Sequence, residues 1–164
     1  MGASIRDLLG DKIPECLKNI KHEIRIGNVY KTGFTRGDGI YIVDKTKESL
    51  SKYFVVIGYD DAGNVYGGLL ISSELPSNAT DDIKRYQYPV KASENDFLYH
   101  DSWINCYKII CAKPDKLNDR TFSGCLDEMS FYYVVKMVLD PGNMVITDAE
   151  RTKYNIKLPE QPYF

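Results

Sequence analysis

The chain has 164 residues, a mass of 18.7 kDa, a formal net charge of −2 and a sequence pI near 5.7. This length suits one domain of ordinary size, and 43% hydrophobic with 27% charged residues is typical of a soluble globular protein. The near-neutral charge excludes a protein coated in basic residues for binding nucleic acid, while a local basic patch stays compatible with it.

The first residues of the chain and its cysteines help to predict the cellular compartment of the protein. The first residues lack the apolar core of a secretory signal, and no segment approaches the ~18 apolar residues of a membrane span. We therefore predict a cytoplasmic protein with no membrane partner. Its four cysteines, at positions 16, 106, 111 and 125, form no CxxC pair. We expect reduced thiols, and neither a disulfide framework nor a metal site.

The start of the chain has a helical pattern. Apolar residues recur there at helical spacing, at Ile5, Leu8, Leu9, Ile13, Leu17 and Ile20. The sequence Gly10-Asp11 interrupts the pattern, and Pro14 suits the first turn of a new helix. The spacing predicts a short helix and then a second one over about 13–22. We assign residues 1–30 to an amphipathic N-terminal helical extension.

The middle of the chain carries strand patterns separated by tight turns. Runs and alternations of β-branched and aromatic residues favour extended structure. The predicted strands cover residues 39–44, 53–59, 65–72, 86–91 and 102–110. The adjacent Gly67 and Gly68 predict a bulge or a sharp bend in the third of these strands.

The pattern becomes helical again after residue 122. One apolar face is formed by Leu126, Met129, Tyr133, Val134 and Met137. Ser123 is the predicted N-cap of this helix, and residues 140–143 end it. The whole order predicts a mostly β fold, a small antiparallel barrel with a C-terminal helix over residues 31–140. Residues 141–164 are predicted to be a tail packed on or flanking the barrel.

Five short sequence motifs follow one another along the chain: RGDGIYIVD at 36–44, KYFVVI at 52–57, LISS at 70–73, DSWINC at 101–106 and GCL at 124–126. In this order they resemble the motifs of the MazF/PemK toxin family, which is the RNA-cleaving half of bacterial toxin–antitoxin pairs. The resemblance covers roughly residues 36–139. The family usually has Arg-Pro, with an Arg that is often catalytic, where this chain has Lys52-Tyr53.

The resemblance implies a fold and an activity. The fold would be a small antiparallel SH3-like barrel of the MazF/PemK/CcdB type. The activity would be metal-independent, sequence-specific cleavage of single-stranded RNA by attack of a 2′-hydroxyl on the adjacent phosphate, with no cofactor. The implied partners are single-stranded RNA, an antitoxin protein that lies on the barrel, and a second copy of the chain in a homodimer.

The candidate catalytic residues are Lys52, Ser72 and Ser73. A cation aimed at the charge that develops on the phosphate is usually the largest catalytic contribution, and Lys52 is the candidate for it. The hydroxyls of Ser72 and Ser73 could hydrogen-bond a phosphate oxygen. The general acid and base stay open among Asp38, Glu48 and His100, with a structural role favoured for His100.

The candidate RNA-binding residues are Arg36, Lys45, Lys47, Tyr41 and Tyr53. The three basic residues belong to a group between positions 31 and 52 that would form a basic patch if the loops converge. The two tyrosines are candidates for stacking on single-stranded bases, as are Tyr59 and Trp103.

Two other readings remain open. A barrel without catalysis could bind a peptide or single-stranded nucleic acid along an aromatic groove, and the replacement of the family's Arg by Lys52 favours this reading somewhat. A purely structural protein is the third reading.

Overall fold

The computed structural model of this protein describes residues 22–75 and 78–162. Within these ranges one antiparallel sheet has the strand order β4-β5-β3-β2-β1-β7, with β6 paired to β3. The strands are β1 Asn28–Thr35, β2 Ser49–Tyr59, β3 Tyr66–Ser72, β4 Gln87–Val90, β5 Ser102–Asn105, β6 Ile110–Ala112 and β7 Phe122–Cys125. The α-helices in the described ranges are α1 Asp81–Arg85, α2 Glu128–Val138 and α3 Asp148–Lys153.

The prediction of a mostly β fold is confirmed. In the described part of the chain the sheet is open, because β4 and β7 end the strand order and do not pair with each other. β1 begins at Asn28, inside the residues assigned to the extension. The predicted N-terminal helices lie in residues 1–21, outside the described residues. No helix in the described ranges has the length and apolar character needed to cross a membrane.

The central strand β2 contributes side chains to two hydrophobic cores, one on each face of the sheet. Val55 and Ile57 belong to the first core, together with α2 residues such as Val134. Phe54 and Val56 belong to the second, which is smaller. This alternation follows the two-residue period of a strand, so both faces of β2 are fixed by packing.

The predicted strand at 39–44 is wrong. Arg36–Asp38 forms a short 3-10 helix, Gly39 ends it with φ 96°, and the chain then runs as a loop to β2. The Arg36 guanidinium donates to three loop carbonyls, those of Ile42, Asp44 and Lys47, at 2.9–3.2 Å. The loop's backbone acceptors are thus satisfied by a side chain rather than by a neighbouring strand.

The predicted strand at 102–110 is two strands. β5 pairs with the end of β3 and with β4, while β6 pairs with the start of β3. The Asn105 side chain makes the break, because its Oδ1 accepts hydrogen bonds from the Tyr107 amide and the Gln87 side chain. A bulge lies opposite Gly67 and Gly68, but its extra residue is in β2 and not in β3 as predicted, since the β2–β3 register shifts between Val56 and Gly58.

The predicted helix exists, but Ser123 does not cap it. Asp127 is the N-cap of α2, and its carboxylate accepts from the Ser130 amide at 2.9 Å. Ser123 lies in β7, a strand that the sequence did not predict and that pairs with β1. Within the described ranges Cys106, Cys111 and Cys125 form no disulfide with one another.

The segment after α2 packs onto the turn end of the β2–β3 hairpin. Helix α3 begins with a capping box between Thr147 and Glu150, and Tyr154 follows the helix. The carbonyl of Tyr154 accepts from the Tyr59 amide at 2.9 Å. The Tyr154 ring lies against Gly67, where a Cβ atom would be 2.7 Å from the ring.

Replacing Gly58 by Ala should destabilise the protein by about 1–3 kcal/mol. A Cβ atom there would overlap the Tyr154 carbonyl oxygen and push the C-terminal segment off the sheet. Urea unfolding measures the loss. Gly33→Ala is the matched control, because a Cβ atom there meets only the Ser49 hydroxyl at 4.0 Å. Equal stability of the two variants would contradict this packing.

Tyr154 should make stability depend on alkaline pH. Burial, followed by the neighbouring Cys111 thiol, raises the pKa of Tyr154 to about 12. A phenol with a raised folded-state pKa contributes stability that is complete below pH ~10 and is lost as the pH rises towards the folded value. Between pH 9 and pH 11, the free energy of unfolding should therefore fall more for the wild type than for Tyr154→Phe. Tyr41→Phe, at an exposed phenol, should keep the wild-type dependence.

Candidate functional site

Strand register places the predicted catalytic lysine beside a predicted catalytic serine. Tyr53 of β2 lies opposite Ile71 of β3 in the antiparallel pair. One step further in the same register, Lys52 lies opposite Ser72. On its other side, Lys52 is paired with Thr32 of β1. Lys52 and Ser72 therefore belong to one cross-strand row at the end of the sheet, where side chains of adjacent strands are close enough to act together.

The neighbouring row points to the opposite face and contains a second cation. Lys31 of β1 is the cross-strand partner of Tyr53. Its Nζ atom lies 5.2 Å from the centre of the Tyr53 ring, a cation–π contact. Tyr53 is also held by its hydroxyl, which donates to the Phe97 carbonyl at 3.0 Å. Tyr53 is thus a fixed wall of the site rather than a free stacking platform.

A cavity of about 260 Å³ lies beside these residues, where β3 ends. We call it the serine cavity. It is lined by Lys31, Ser51, Lys52, Tyr53, Ile71, Ser72, Ser73, Leu98, Tyr99, His100 and Ser102. The three predicted catalytic residues therefore all line one cavity, and the His100 side chain lines it with them.

The loop before β5 forms one wall of the serine cavity. It is anchored at its start, where the Asn95 side chain donates to the Asp127 carboxylate and accepts from the Asp127 amide. Leu98 is buried in the first core, whereas Tyr99 and His100 are exposed. Anchored backbone with exposed functional side chains is a common arrangement at binding sites.

A second cavity, of about 430 Å³, adjoins the first. We call it the arginine cavity. It shares Lys31, Ser51, Tyr53 and Tyr99 with the serine cavity. The residues that line it alone are Asp96, Phe97, Arg120, Thr121, Phe122 and Ser123. The two cavities therefore adjoin each other over β1, β2 and the end of β3, and we call the two together the groove.

The groove is electropositive. Lys31, Lys52 and Arg120 line it, and none of the three pairs with a carboxylate in the described part of the chain. Asp96 is the one acidic side chain among the residues that line either cavity. Cations that are not neutralised, beside hydroxyls in a concave site, suit an anionic ligand such as a phosphodiester.

The other predicted RNA-binding residues do not line the groove. Arg36 is engaged with the carbonyls of its own loop, and that loop carries Lys45, Lys47 and Tyr41 on the surface. None of these four residues lines the serine or the arginine cavity. The basic residues between positions 31 and 52 thus divide into two places, with only Lys31 and Lys52 at the groove.

Two of the three candidates for general acid and base also lie elsewhere. Hydrogen bonding from the Thr35 amide, aided by the Lys116 ammonium 3.5 Å away, lowers the pKa of Asp38. Glu48 lines neither cavity. His100 is the candidate that the structure places with the serines and Lys52.

Sequence reasoning missed Tyr99, Asp96 and Arg120. Tyr99 is 85% exposed and lines both cavities, so it is better placed for stacking than Tyr53 or Tyr41. The hydrophobic segment Phe97-Leu98-Tyr99, shortly before a predicted strand, was the available signal. Arg120 lies in a polar turn whose backbone is fixed by the Asn118 side chain. Nothing in the order of residues indicated that this turn approaches β1.

No protein-family model matches the chain, and no curated protein matches it significantly.

Replacing Arg36 by Ala should loosen the 42–47 loop. The change removes three hydrogen bonds from a charged donor and should cost about 1.5–3 kcal/mol of local stability. Amide hydrogen exchange across 42–47 should accelerate. Lys47→Ala, which removes a charge but leaves the backbone acceptor, is the control. Exchange that is unchanged in Arg36→Ala would contradict the role of the guanidinium in holding this loop.

Proposed function

We propose that this protein is an endoribonuclease of the MazF/PemK toxin type and that the serine cavity is its active site. The observation that carries the proposal is the convergence of Lys52, Ser72, Ser73 and His100 on one cavity. These side chains come from β2, from the end of β3 and from the loop before β5, and together they supply what cleavage of an RNA phosphodiester needs.

The reaction requires two proton transfers and stabilisation of charge. The 2′-oxygen loses its proton and forms a bond to the adjacent phosphorus. The bond from phosphorus to the 5′-oxygen breaks, and that oxygen gains a proton. The products are a 2′,3′-cyclic phosphate and a 5′-hydroxyl. Negative charge grows on the non-bridging oxygens in the transition state, and a preorganised cation lowers the barrier most.

Lys52 supplies the positive charge in this proposal. It lies opposite Ser72 in the sheet, so its ammonium and the Ser72 hydroxyl address the same phosphate. Ser73 adds a second hydroxyl at the strand end. An ammonium binds a phosphate as a point charge, without the two parallel hydrogen bonds that a guanidinium can donate. Lys52 therefore keeps the positive charge of the family's Arg but not its bidentate geometry.

His100 is the proton-transfer group in this proposal. Imidazole is the side chain best suited to give and take protons near neutral pH. The His100 ring makes no hydrogen bond with another described residue, and its backbone is held where the His100 carbonyl accepts from the Ser102 hydroxyl at 2.8 Å. The ring is therefore free to meet a substrate.

Single-stranded RNA is the proposed substrate because the groove is open, electropositive and bordered by an exposed aromatic. Tyr99 offers a face for a splayed base, and Lys31 lies between the two cavities. The SH3-like barrel, the antitoxin partner and the homodimer belong to the same proposal and rest on the resemblance to the toxin family.

The second candidate is a binding module that uses the same groove without cleavage. Lys52 favours it, since a single ammonium supplies less geometric control over a phosphorane than an arginine does. The two candidates differ in whether RNA is cut.

Purified protein should cleave a mixed RNA in the presence of EDTA, and Lys52→Ala should lower the rate about 10²–10³-fold. Lys52→Arg should retain most of the activity because it keeps the charge. Lys157→Ala is the control, since it removes an exposed lysine beside Asn155, which binds the far end of β2. Gel or capillary electrophoresis of end-labelled RNA gives the rates.

Two results would contradict the enzyme. RNA that stays intact at high concentrations of wild-type protein while it binds would favour the binding module. Cleavage by the Lys52→Ala variant at the wild-type rate would show that the serine cavity is not the active site. In cells, the wild type should slow growth on expression, and Lys52→Ala should relieve the effect.

A further inference from the structure

The arginine cavity contains a carboxylate, a group that a site binding only phosphates would lack. Asp96 lines this cavity with Lys31 and Arg120. It is exposed and makes no hydrogen bond or ion pair with another described residue, although two cations line the same cavity. A carboxylate repels a phosphodiester, so its presence in an otherwise cationic groove needs a ligand with hydrogen-bond donors.

We propose that the arginine cavity is a subsite for a guanine base next to the cleaved phosphate. This inference rests on the proposed function, because it places the guanine beside the nucleotide held in the serine cavity. An ionised carboxylate only accepts hydrogen bonds, through two oxygens side by side. Guanine presents two adjacent donors, the N1–H and the N2 amino group, whereas adenine, cytosine and uracil each present a single donor position on that edge.

Arg120 completes the complement to guanine. The O6 atom of guanine lies next to N1–H and accepts hydrogen bonds, and a guanidinium is the common donor to it. The Arg120 backbone is fixed because its amide donates to the Asn118 side chain at 2.9 Å, while its own side chain is exposed. An acceptor and a donor that line one cavity thus supply the groups that the acceptor–donor–donor edge of guanine requires.

The walls of the cavity suit a flat base. Tyr99 and Phe122 both line it and are both exposed aromatics, with 85% and 40% of their surfaces accessible. Stacking on such rings is worth ~1–3 kcal/mol per base in single-strand binders and does not depend on base identity. The selectivity therefore falls to Asp96 and Arg120.

Lys31 connects this subsite to the active site. It lines both cavities, and its ammonium stands over Tyr53, the wall that the cavities share. A phosphate bound by Lys31 would link a nucleotide in the arginine cavity to one in the serine cavity. The guanine would thus be an immediate neighbour of the cleaved bond.

Binding of DNA oligonucleotides tests the subsite separately from catalysis, since a chain without 2′-hydroxyls cannot be cut by 2′-hydroxyl attack. Fluorescein-labelled thymidine octamers carry one central guanine, hypoxanthine or adenine, and fluorescence anisotropy gives Kd. The guanine octamer should bind about tenfold more tightly than the hypoxanthine octamer, which lacks the N2 amino group, and than the adenine octamer.

The variants locate the effect. Asp96→Asn should remove the preference for guanine over hypoxanthine while leaving binding of the octamers within a fewfold of the wild type. Asp61→Asn, in the turn between β2 and β3, is the matched control and should keep the preference. Arg120→Ala should weaken the guanine octamer most.

The outcomes separate the two proposals. Equal Kd values for the three octamers, or a guanine preference that survives Asp96→Asn, would overturn the subsite even if RNA is cleaved. If the wild type prefers guanine and Asp96→Asn loses this preference, the subsite is established even when RNA stays intact. In that case only the proposed cleavage would be contradicted.

Discussion

The candidate site depends on the register of β2 between β1 and β3. Lys52 and Tyr53 point to opposite faces, so a slip of one residue would exchange them and separate Lys52 from Ser72. The register is held at the other end of the hairpin, where the strands bulge between Val56 and Gly58 and a Cβ atom on Gly68 would overlap the Phe54 ring and the Val55 carbonyl. Close packing far from the groove therefore determines which side chains meet in it.

The walls of the groove are loops, and their anchors explain how loops can hold a site. The Tyr53 hydroxyl ties β2 to the Phe97 carbonyl, and the reciprocal bonds between Asn95 and Asp127 tie the same loop to the start of α2. The opposite wall is fixed by Asn118, whose side chain accepts from the backbone amides of the turn. These bonds hold the backbone in place and leave the side chains of Tyr99, His100 and Arg120 exposed to solvent, which is the arrangement that binding requires.

Strong local patterns predicted the centre of the fold, and long-range contacts account for the errors. The apolar run at 53–59 and the paired glycines at 67–68 carry their own signals: both strands exist over the predicted residues, and the β2 bulge lies opposite the glycines. Residues 39–44 have an equally strong strand pattern but lie in a loop. The Arg36 guanidinium donates hydrogen bonds to carbonyls of that loop, which therefore do not pair with a neighbouring strand. Lys52, Ser72 and Ser73 were predicted together and line one cavity. Asp96 and Arg120 were missed because their meeting depends on the pairing of β7 with β1, which weak local patterns did not indicate.

Together, the register of β2 and the anchored loops make one cationic groove, with hydroxyls and an imidazole at one end and a carboxylate at the other. We propose that this groove cleaves RNA by 2′-hydroxyl attack. Mass spectrometry of the ends produced from a defined RNA in EDTA distinguishes this reaction from other routes of cleavage. We expect new fragments that end in a 2′,3′-cyclic phosphate and new fragments that begin with a 5′-hydroxyl. Fragments that begin with a 5′-phosphate, or RNA that remains uncut, would contradict it.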